Sequence, residues 1–103
     1  MNKHLKKPSW TVYILRNERN MLYTGVTTDI DRRVGEHKSR LSRGARFTRA
    51  CKVLELVYHC DIGDRGPALK VEAKIKRLTK AQKERIVAAG LKKSELYVFL
   101  SFP

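Results

Sequence analysis

Two short stretches near the start of the chain carry apolar side chains in the alternating pattern of β-strands. WTVYILR (residues 10–16) and MLYTGV (residues 21–26) are rich in β-branched and aromatic residues, which are typical of strands. The polar segment NERN joins them, so we expect an antiparallel hairpin. KVLELVYHC (residues 52–60) is predicted to be a third strand.

The register of this hairpin decides whether two tyrosines share a face. Paired residues on neighbouring strands point to the same side, and a shift of one residue moves a whole strand's side chains to the other face. If Leu15 pairs with Met21, then Tyr13 lies opposite Tyr23. The sequence leaves the register open, and we expect this pairing because a shared site would require it.

A helix is predicted directly after the hairpin. Thr28 or Asp29 can cap it, and it runs from near Ile30 through DRRVGEHKSR. Arg33 and His37 are four residues apart, which places them one turn apart on one side of a helix. The apolar stripe beside them consists of Ile30, Val34 and Leu41.

The second half of the chain is predicted to form two more helices. ALKVEAKIKRL has apolar residues at helical spacing, namely Ala68, Val71, Ile75 and Leu78. TKAQ is a capping box that starts a third helix, KAQKERIVAA, which ends at Gly90. The predicted order β-β-α-β-α-α describes an α+β fold, with a three-stranded mixed or antiparallel sheet flanked by helices.

This domain is predicted to occupy residues 10–90, after a basic segment at residues 1–9 and before a tail at residues 91–103. The tail ends in LYVFLSFP, which is too short to cross a bilayer and is either an additional strand or an exposed apolar end. The N-terminal segment MNKHLKKPSW is basic but no apolar region follows it, so we expect no secretory signal and a cytoplasmic location.

The net charge of the chain indicates what kind of partner it binds. The 103 residues contain 23 Lys and Arg against 10 Asp and Glu, a net charge of +13. That excess indicates a polyanionic partner, with nucleic acid as the first candidate and an anionic membrane surface as the second. Hydrophobic residues make up 42% of the chain, which favours a globular domain over a disordered basic tail.

The two cysteines, Cys51 and Cys60, are nine residues apart. This spacing matches neither a zinc site nor a disulfide framework. We therefore expect reduced, structural thiols, as is usual in the cytosol.

An ordered set of residues in the first half resembles the signature of the GIY-YIG nuclease superfamily. The second triplet of that signature is matched by Tyr23-Thr24-Gly25, and Arg33 follows its glycine by eight residues. The first triplet reads Thr11-Val12-Tyr13, so its glycine is absent. Each triplet alone is weakly specific, whereas the ordered set with its spacings is strongly specific.

The second half extends this resemblance. ALKVEAKIKRLTKAQKERIV resembles the family's helix with the metal-binding glutamate, which corresponds to Glu72. In having His37 four residues after Arg33 and Lys76 four residues after Glu72, the chain is similar to the small stand-alone UPF0213 branch of the superfamily. That branch is related to structure-selective junction nucleases. The resemblance covers residues 10–87. An asparagine that some homing endonucleases carry near the end of the module has no clear counterpart.

The resemblance implies an endonuclease that hydrolyses DNA phosphodiester bonds with the help of a divalent ion, in repair or recombination. Glu72 lies beside the apolar face of its helix, so it should flank the sheet. One carboxylate suits a single Mg²⁺ or Mn²⁺, because these ions keep much of their hydration. The alternative for Glu72 is an ordinary ion pair with Lys76.

The resemblance also implies roles for the other matched residues. The guanidinium of Arg33 suits a phosphate. Tyr13 would activate water, directly or by relay to His37, with nearby cations favouring its phenolate, and Tyr23 would orient the phosphate. Either tyrosine is otherwise ordinary cross-strand packing. Gly25 would let the backbone approach the substrate, or else mark a bulge.

Substrate contacts are expected mainly to phosphates. The candidate contacts are Gly25, Arg40, Arg43, Arg46, Arg49 and Lys76. We expect DNA, branched or single-stranded, with little sequence preference, with RNA as an open alternative, no membrane, and a protein partner as a possible source of specificity. The competing interpretations are a nucleic-acid-binding module of the same fold without useful catalysis, and a basic scaffold that docks on RNA or a ribosome.

Overall fold

Three antiparallel strands form the centre of the molecule, in the spatial order β2-β1-β3. The computed structural model describes residues 7–40 and 53–102. The strands are β1 (Trp10–Asn17), β2 (Leu22–Thr27) and β3 (Leu54–Gly63), and the helices are α1 (Ile30–Arg40), α2 (Arg65–Lys76), α3 (Lys80–Ala89) and α4 (Lys93–Phe99). The predicted α+β fold is confirmed.

The central strand β1 separates two apolar clusters, because its side chains alternate between the faces of the sheet. Val12 and Ile14 point to one face and pack beneath α2, α3 and α4; Tyr13 and Leu15 point to the other, where α1 lies. We call the first cluster the main core: Val12, Ile14, Tyr58, Cys60, Ile62, Ala68, Val71, Ile75, Ile86, Leu96 and Leu100. The second, the α1 face, consists of Tyr13, Leu15 and Leu54, with Tyr23, Ile30, Val34 and Leu56 packed against them.

The hairpin register differs from the expected one by two residues. Tyr23 pairs with Leu15, and Tyr13 pairs with Gly25, so the two tyrosines are diagonal neighbours rather than directly opposite. An even shift keeps both on the same face. The expected direct pairing is therefore wrong, but the shared face that motivated it is present.

The turn between β1 and β2 explains this register. Asn20 adopts a left-handed conformation with φ of 64°, which asparagine tolerates better than most residues and which the last position of a three-residue hairpin loop requires. The Asn17 side-chain oxygen accepts hydrogen bonds from the backbone N–H of Arg19 at 3.0 Å and of Met21 at 2.9 Å. Asn17 and Met21 therefore close the loop, one residue later than the expected Arg16 and Asn20.

The two predicted helices of the second half are present. Ala68, Val71 and Ile75 of α2 are fully buried, as their spacing indicated. Thr79 and Gln82 form the expected capping box: the Gln82 N–H donates to Thr79 Oγ1 at 3.1 Å, and the Thr79 N–H donates to Gln82 Oε1 at 2.9 Å. Gly90 ends α3 in the left-handed conformation with φ of 58°.

The C-terminal tail is not an additional strand, and the alternative of an exposed apolar end holds only in part, because Leu96 and Leu100 are buried whereas Val98 is 79% exposed. It forms α4, whose Leu96 and the following Leu100 are buried in the main core. The Lys74 ammonium donates to the Leu100 carbonyl at 3.2 Å, and the Tyr58 hydroxyl donates to the Leu91 carbonyl at 2.7 Å. Apolar burial and two long-range hydrogen bonds thus hold the tail on the sheet.

Two smaller expectations concern thiols and membranes. Cys60 is a free thiol in the main core, and burial raises its pKa, which fits the expected structural role. Cys51 and Leu41 lie outside the described residues. Within residues 7–40 and 53–102, no helix has both the length and the apolar character to span a membrane.

Candidate active site

Helix α1 carries two of the candidate residues to the sheet. It begins at Ile30, as predicted, and Asp29 caps it: Asp29 Oδ1 accepts a hydrogen bond from the Arg32 N–H at 3.1 Å. Ile30 and Val34 pack against the α1 face. This packing fixes the rotation of the helix, and it turns the side chains of Arg33 and His37 towards β1 and β2.

The hydroxyl of Tyr13 is the centre of the resulting cluster. Tyr13 Oη lies 3.0 Å from His37 Nε2, and Arg33 Nε donates to it at 3.3 Å. The ring of Tyr23 meets the ring of His37 edge-on, with centroids 5.2 Å apart. Tyr13 is 1% exposed and His37 is 4% exposed. Four candidates from β1, β2 and α1 are therefore brought together, with a hydrogen-bonded path from Arg33 through Tyr13 to His37.

Gly25 makes room for this tyrosine. A Cβ atom placed on Gly25 would lie 2.5 Å from Tyr13 Oη and 2.6 Å from Tyr13 Cζ, which is far inside van der Waals contact. The alternative of a bulge at Gly25 is wrong, because the pairing of β1 with β2 runs without a shift from Thr11–Thr27 to Arg16–Leu22. The space that a substrate would need beside Gly25 is filled by the phenol.

The protonation state of Tyr13 follows from opposing effects on its pKa. Burial is the largest effect and raises the pKa of the phenol, while the hydrogen bond and the charge of Arg33 lower it. Tyr23 and the Glu72 carboxylate add smaller increases. The net shift is upward, so Tyr13 is a neutral phenol at neutral pH: Arg33 favours the phenolate, as expected, but burial outweighs its effect on the pKa.

Arg33 is held from two directions. Its pKa is raised, first by the hydrogen bond to Tyr13, and its Nη1 donates to Glu36 Oε1 at 3.0 Å. The same glutamate accepts from Arg32 Nη1 at 2.8 Å, and the hydrogen bond from Arg33 lowers its pKa. Glu36 was not among the residues expected at the site. Its spacing of three residues from Arg33 on a helix is the signal that could have identified it.

Glu72 approaches the cluster from α2. Its carboxylate raises the pKa of Tyr13, so its charge is felt at the phenol. The side chain is 19% exposed, and Lys76 Nζ lies 3.3 Å from Glu72 Oε2. The alternative of an ion pair with Lys76 is thus present.

Glu72 is also the candidate metal ligand. In the described part of the chain, no group of three or more His, Cys, Asp or Glu side chains is arranged to hold a metal ion. A single partly exposed carboxylate fits an ion that keeps most of its water ligands, as Mg²⁺ and Mn²⁺ do, rather than a zinc ion with a full set of protein ligands.

The remaining candidates belong to the basic segment. Arg40 is the last residue of α1. Arg43, Arg46 and Arg49 lie outside the described residues. Their contribution to substrate binding remains a prediction from the sequence.

Comparison with known proteins identifies the family. The family model of the GIY-YIG catalytic domain matches residues 9–85. The chain belongs to the GIY-YIG family. The predicted membership of the GIY-YIG superfamily is thereby confirmed.

Similar proteins place the chain more narrowly within the GIY-YIG family. It is 48% identical over 87 residues to a UPF0213 protein of Pectobacterium carotovorum, covering 84% of this chain and 86% of the relative. It is 46% identical over 81 residues to a UPF0213 protein of Serratia proteamaculans, covering 79% and 78%. The solution NMR structure of the UPF0213 protein BH0048 from Bacillus halodurans aligns with a TM-score of 0.53 at 33% identity, covering 92% of this chain and 99% of that one.

Membership of the GIY-YIG family indicates a nuclease, and therefore a nucleic acid substrate. Nucleases of this family generally use divalent metal ions. The names of the UPF0213 relatives specify no activity. The substrate and the chemistry must therefore be argued from the residues.

Proposed function

We propose that this protein is a divalent-metal-dependent endonuclease that hydrolyses DNA phosphodiester bonds with little sequence preference, in DNA repair or recombination. The observation that carries the proposal is the position of the Tyr13 hydroxyl, 3.0 Å from His37 Nε2 and 3.3 Å from Arg33 Nε. Few residue sets outside an active site bury a phenol between an imidazole and a guanidinium, because such groups must be desolvated to meet.

The hydrogen bonds define a direction for proton transfer. Arg33 Nε–H can only donate, so it leaves the proton of Tyr13 free to point at His37 Nε2. In the reaction, a water loses a proton to Tyr13 Oη while Tyr13 passes its own proton to His37. The resulting hydroxide attacks phosphorus, and the bond from phosphorus to the 3′ oxygen breaks. The 3′ oxygen leaves as a hydroxyl after taking a proton from solvent, and His37 returns the proton that it received to solvent. This relay needs the tautomer of His37 with an unprotonated Nε2, and it suits a phenol with a raised pKa.

The other site residues bind and neutralise the phosphate. Arg33 is partly exposed, and its fork carries further N–H groups for a phosphate oxygen. Tyr23 packs against His37 and would orient the phosphate beside Tyr13. Glu72 would hold one Mg²⁺ or Mn²⁺, which when bound supplies charge neutralisation at the phosphate and at the departing oxygen. Gly25 acts by leaving space for Tyr13.

The substrate assignment rests on charge. A net charge of +13 on 103 residues suits phosphate contacts that are independent of base sequence. Lys76 and the basic residues Arg40, Arg43, Arg46 and Arg49 supply further contacts. Branched or single-stranded DNA in the cytoplasm is the substrate we propose, and a protein partner would add specificity.

Glu72→Gln tests this function. The substitution keeps side-chain size but removes the charge that would hold the ion, so single-turnover cleavage of labelled branched DNA in Mg²⁺ or Mn²⁺ should fall by roughly 10² or more. DNA binding in chelator should persist or tighten slightly, since an anion leaves the phosphate site. Calorimetry should show weaker Mn²⁺ binding.

The matched control is Glu84→Gln on α3. Like Glu72, Glu84 is a helix glutamate paired with a lysine four residues away, but it is not part of the site. Glu84→Gln should cut at the wild-type rate. If Glu72→Gln cuts as well as wild type, the metal assignment is wrong. If identically prepared wild type binds DNA but cuts none of the branched or linear substrates, the protein is a binding module of this fold.

A further inference from the structure

A surface on the opposite side of the sheet carries three aromatic rings, each with a cation over it. The rings belong to α4 and to the last described residue, whereas two of the cations come from α2 and α3. Lys93 Nζ lies 6.0 Å from the ring centroid of Tyr97, the Arg85 guanidinium lies 5.2 Å from that of Phe99, and Lys74 Nζ lies 4.5 Å from that of Phe102. Leu96 and Leu100 bury α4 against the sheet, and Lys74 also donates to the Leu100 carbonyl.

Two of the rings line an open groove of about 660 Å³. Tyr97 and Phe102 have centroids 5.0 Å apart. Val98 beside them is 79% exposed. The described residues that line the groove are Lys92, Lys93, Ser94, Tyr97, Val98 and Phe102, and none of these is acidic. The groove therefore combines an apolar floor with a positive rim.

The groove and the adjacent ring of Phe99 together form what we call the α4 surface, which consists of Lys74, Arg85, Lys93, Tyr97, Phe99 and Phe102. We propose that the α4 surface binds unpaired nucleotides of a nucleic acid strand. Every base has a π-face that can stack on an aromatic ring, and the long side chains of Lys93 and Arg85 can turn from their rings to the adjacent phosphates. This goes beyond the proposed hydrolysis, since binding here requires neither a metal ion nor the Tyr13 hydroxyl.

The position of the α4 surface gives it a distinct role. Leu96 of α4 packs in the main core, whereas Tyr13 lies in the cluster on the α1 face. The sheet separates the two, so a nucleotide on the α4 surface is not the one whose phosphate lies at Tyr13. A substrate that reaches both must bend around the domain or offer separate arms. The α4 surface thus selects DNA with a single-stranded segment next to the bond to be cut.

A comparison of single-stranded with double-stranded DNA tests whether this surface binds unpaired nucleotides. Bases within a duplex stack on each other and are not available to the rings, whereas those of a single strand are. Fluorescence anisotropy in chelator should compare a labelled 12-nucleotide oligothymidine with a labelled duplex of the same length. This length lies within the roughly 4–16 nucleotides that one small single-strand-binding domain covers. Wild type and variants bind intact DNA under these conditions, so cleavage does not enter the measurement.

Tyr97→Leu combined with Phe102→Leu keeps apolar bulk but removes both stacking faces. Binding to the single strand should weaken by about five-fold or more, and binding to the duplex by less than two-fold. Lys83→Gln on α3, away from the groove, removes one charge and should weaken both forms equally. An equal loss for both forms in a double variant that melts at the wild-type temperature would overturn the proposal.

Cross-linking of the unaltered protein decides the matter without relying on a variant that must fold. An oligonucleotide with 5-iodouracil should, on irradiation, attach to Tyr97 or Phe102, as mapped by mass spectrometry. Attachment only at Tyr13 or Tyr23 would refute the α4 surface. So would a dimer in sedimentation experiments that Val98→Asp dissociates, because the groove would then be covered by a second copy of the chain.

Discussion

The two faces of the sheet differ in what burial achieves. On the main-core side, Val12 and Ile14 are fully buried among apolar side chains of three helices. On the α1 side, Tyr13 and His37 are buried almost as completely, but they are hydrogen bonded to each other. One strand, β1, supplies both sets through alternate residues. Hydrophobic stabilisation is thus concentrated on one face, which leaves the other free to hold a desolvated polar cluster.

Two buried tyrosines make the comparison sharper. Tyr58 of β3 faces the main core and Tyr13 of β1 faces α1, and burial raises the pKa of both phenols. Tyr58 donates its hydrogen bond to the carbonyl of Leu91, an acceptor that cannot take up a proton at neutral pH. Tyr13 meets an imidazole and a guanidinium instead. The partners, and not the burial, distinguish a structural phenol from one that can relay a proton.

The largest expected difference between the two faces is in the cleavage rate, when the hydroxyl of Tyr13 or that of Tyr58 is removed. Tyr13→Phe should slow single-turnover cleavage by roughly 10²–10⁴, the usual contribution of a group that transfers a proton. Tyr58→Phe should leave the rate unchanged. Both variants should lose about 1–2 kcal/mol in urea unfolding, because each loses the hydrogen bond of a buried phenol. Equal cleavage rates for the two variants would show that the Tyr13 hydroxyl contributes no more to catalysis than the Tyr58 hydroxyl does.

A methyl group at Gly25 should give the next largest effect. Gly25→Ala places a Cβ 2.5 Å from Tyr13 Oη, and this atom lies on a buried ring held by His37 and Arg33. The ring must move, so we expect a loss of about 1–3 kcal/mol in stability together with slower cleavage. Gly35→Ala is the control, since nothing lies within 4 Å of the added Cβ. If Gly25→Ala cuts at the wild-type rate, the hydroxyl position is not critical.

The smallest expected effect concerns acid stability on the main-core side. Arg16 of β1 makes two hydrogen bonds to Glu84 of α3, at 2.6 Å and 2.7 Å, and these bonds first, then Lys80, lower the pKa of Glu84 to about 2. A lowered pKa stabilises the fold above the unfolded value of 4.5, and this contribution is lost as the pH falls from there towards 2.

Solvent screening limits that contribution to about 1–2 kcal/mol. Urea unfolding at pH 7 and at pH 2 should therefore show a smaller difference between the two pH values for Glu84→Gln than for wild type. Cleavage at neutral pH should be the same for both. An unchanged pH dependence in Glu84→Gln would mean that the pair between β1 and α3 contributes nothing to the stability of the main-core side.

Local patterns were sufficient to predict most elements of the fold. The capping box at Thr79 and the glycine at residue 90 are short-range signals, and they bounded α3 correctly. The hairpin register depended on the left-handed conformation of Asn20, which a count of turn residues does not reveal. Helix α4 was missed because LYVFL is a short continuous apolar run with aromatic and β-branched residues, which is also typical of a strand, and because the residue that caps it, Lys92, is not a usual cap. Glu95, whose carboxylate accepts from the Lys92 N–H at 2.8 Å, was the overlooked signal.

The sequence predicted which residues form the site better than it predicted the contacts between them. The spacing of Arg33 and His37 placed them together on α1, whereas the alternation of β1 and β2 allowed the tyrosines to share a face but left the register open. Neither pattern shows that the His37 imidazole reaches the Tyr13 hydroxyl or that Glu36 holds Arg33. Such contacts depend on how closely α1 packs on the sheet, which Ile30 and Val34 decide through side-chain shape.

The central position of β1 has a consequence for motion. Its backbone is hydrogen bonded to β2 on one side and to β3 on the other. Its amides point to either neighbour, and neither edge of the strand is open to solvent, so a paired amide of β1 can exchange only when the pairing on its side opens. We expect the N–H of Tyr13 to be among the slowest to exchange deuterium. The phenol is therefore attached to one of the least mobile parts of the backbone, and any adjustment to a bound phosphate must come from α1, which approaches the sheet through side chains alone.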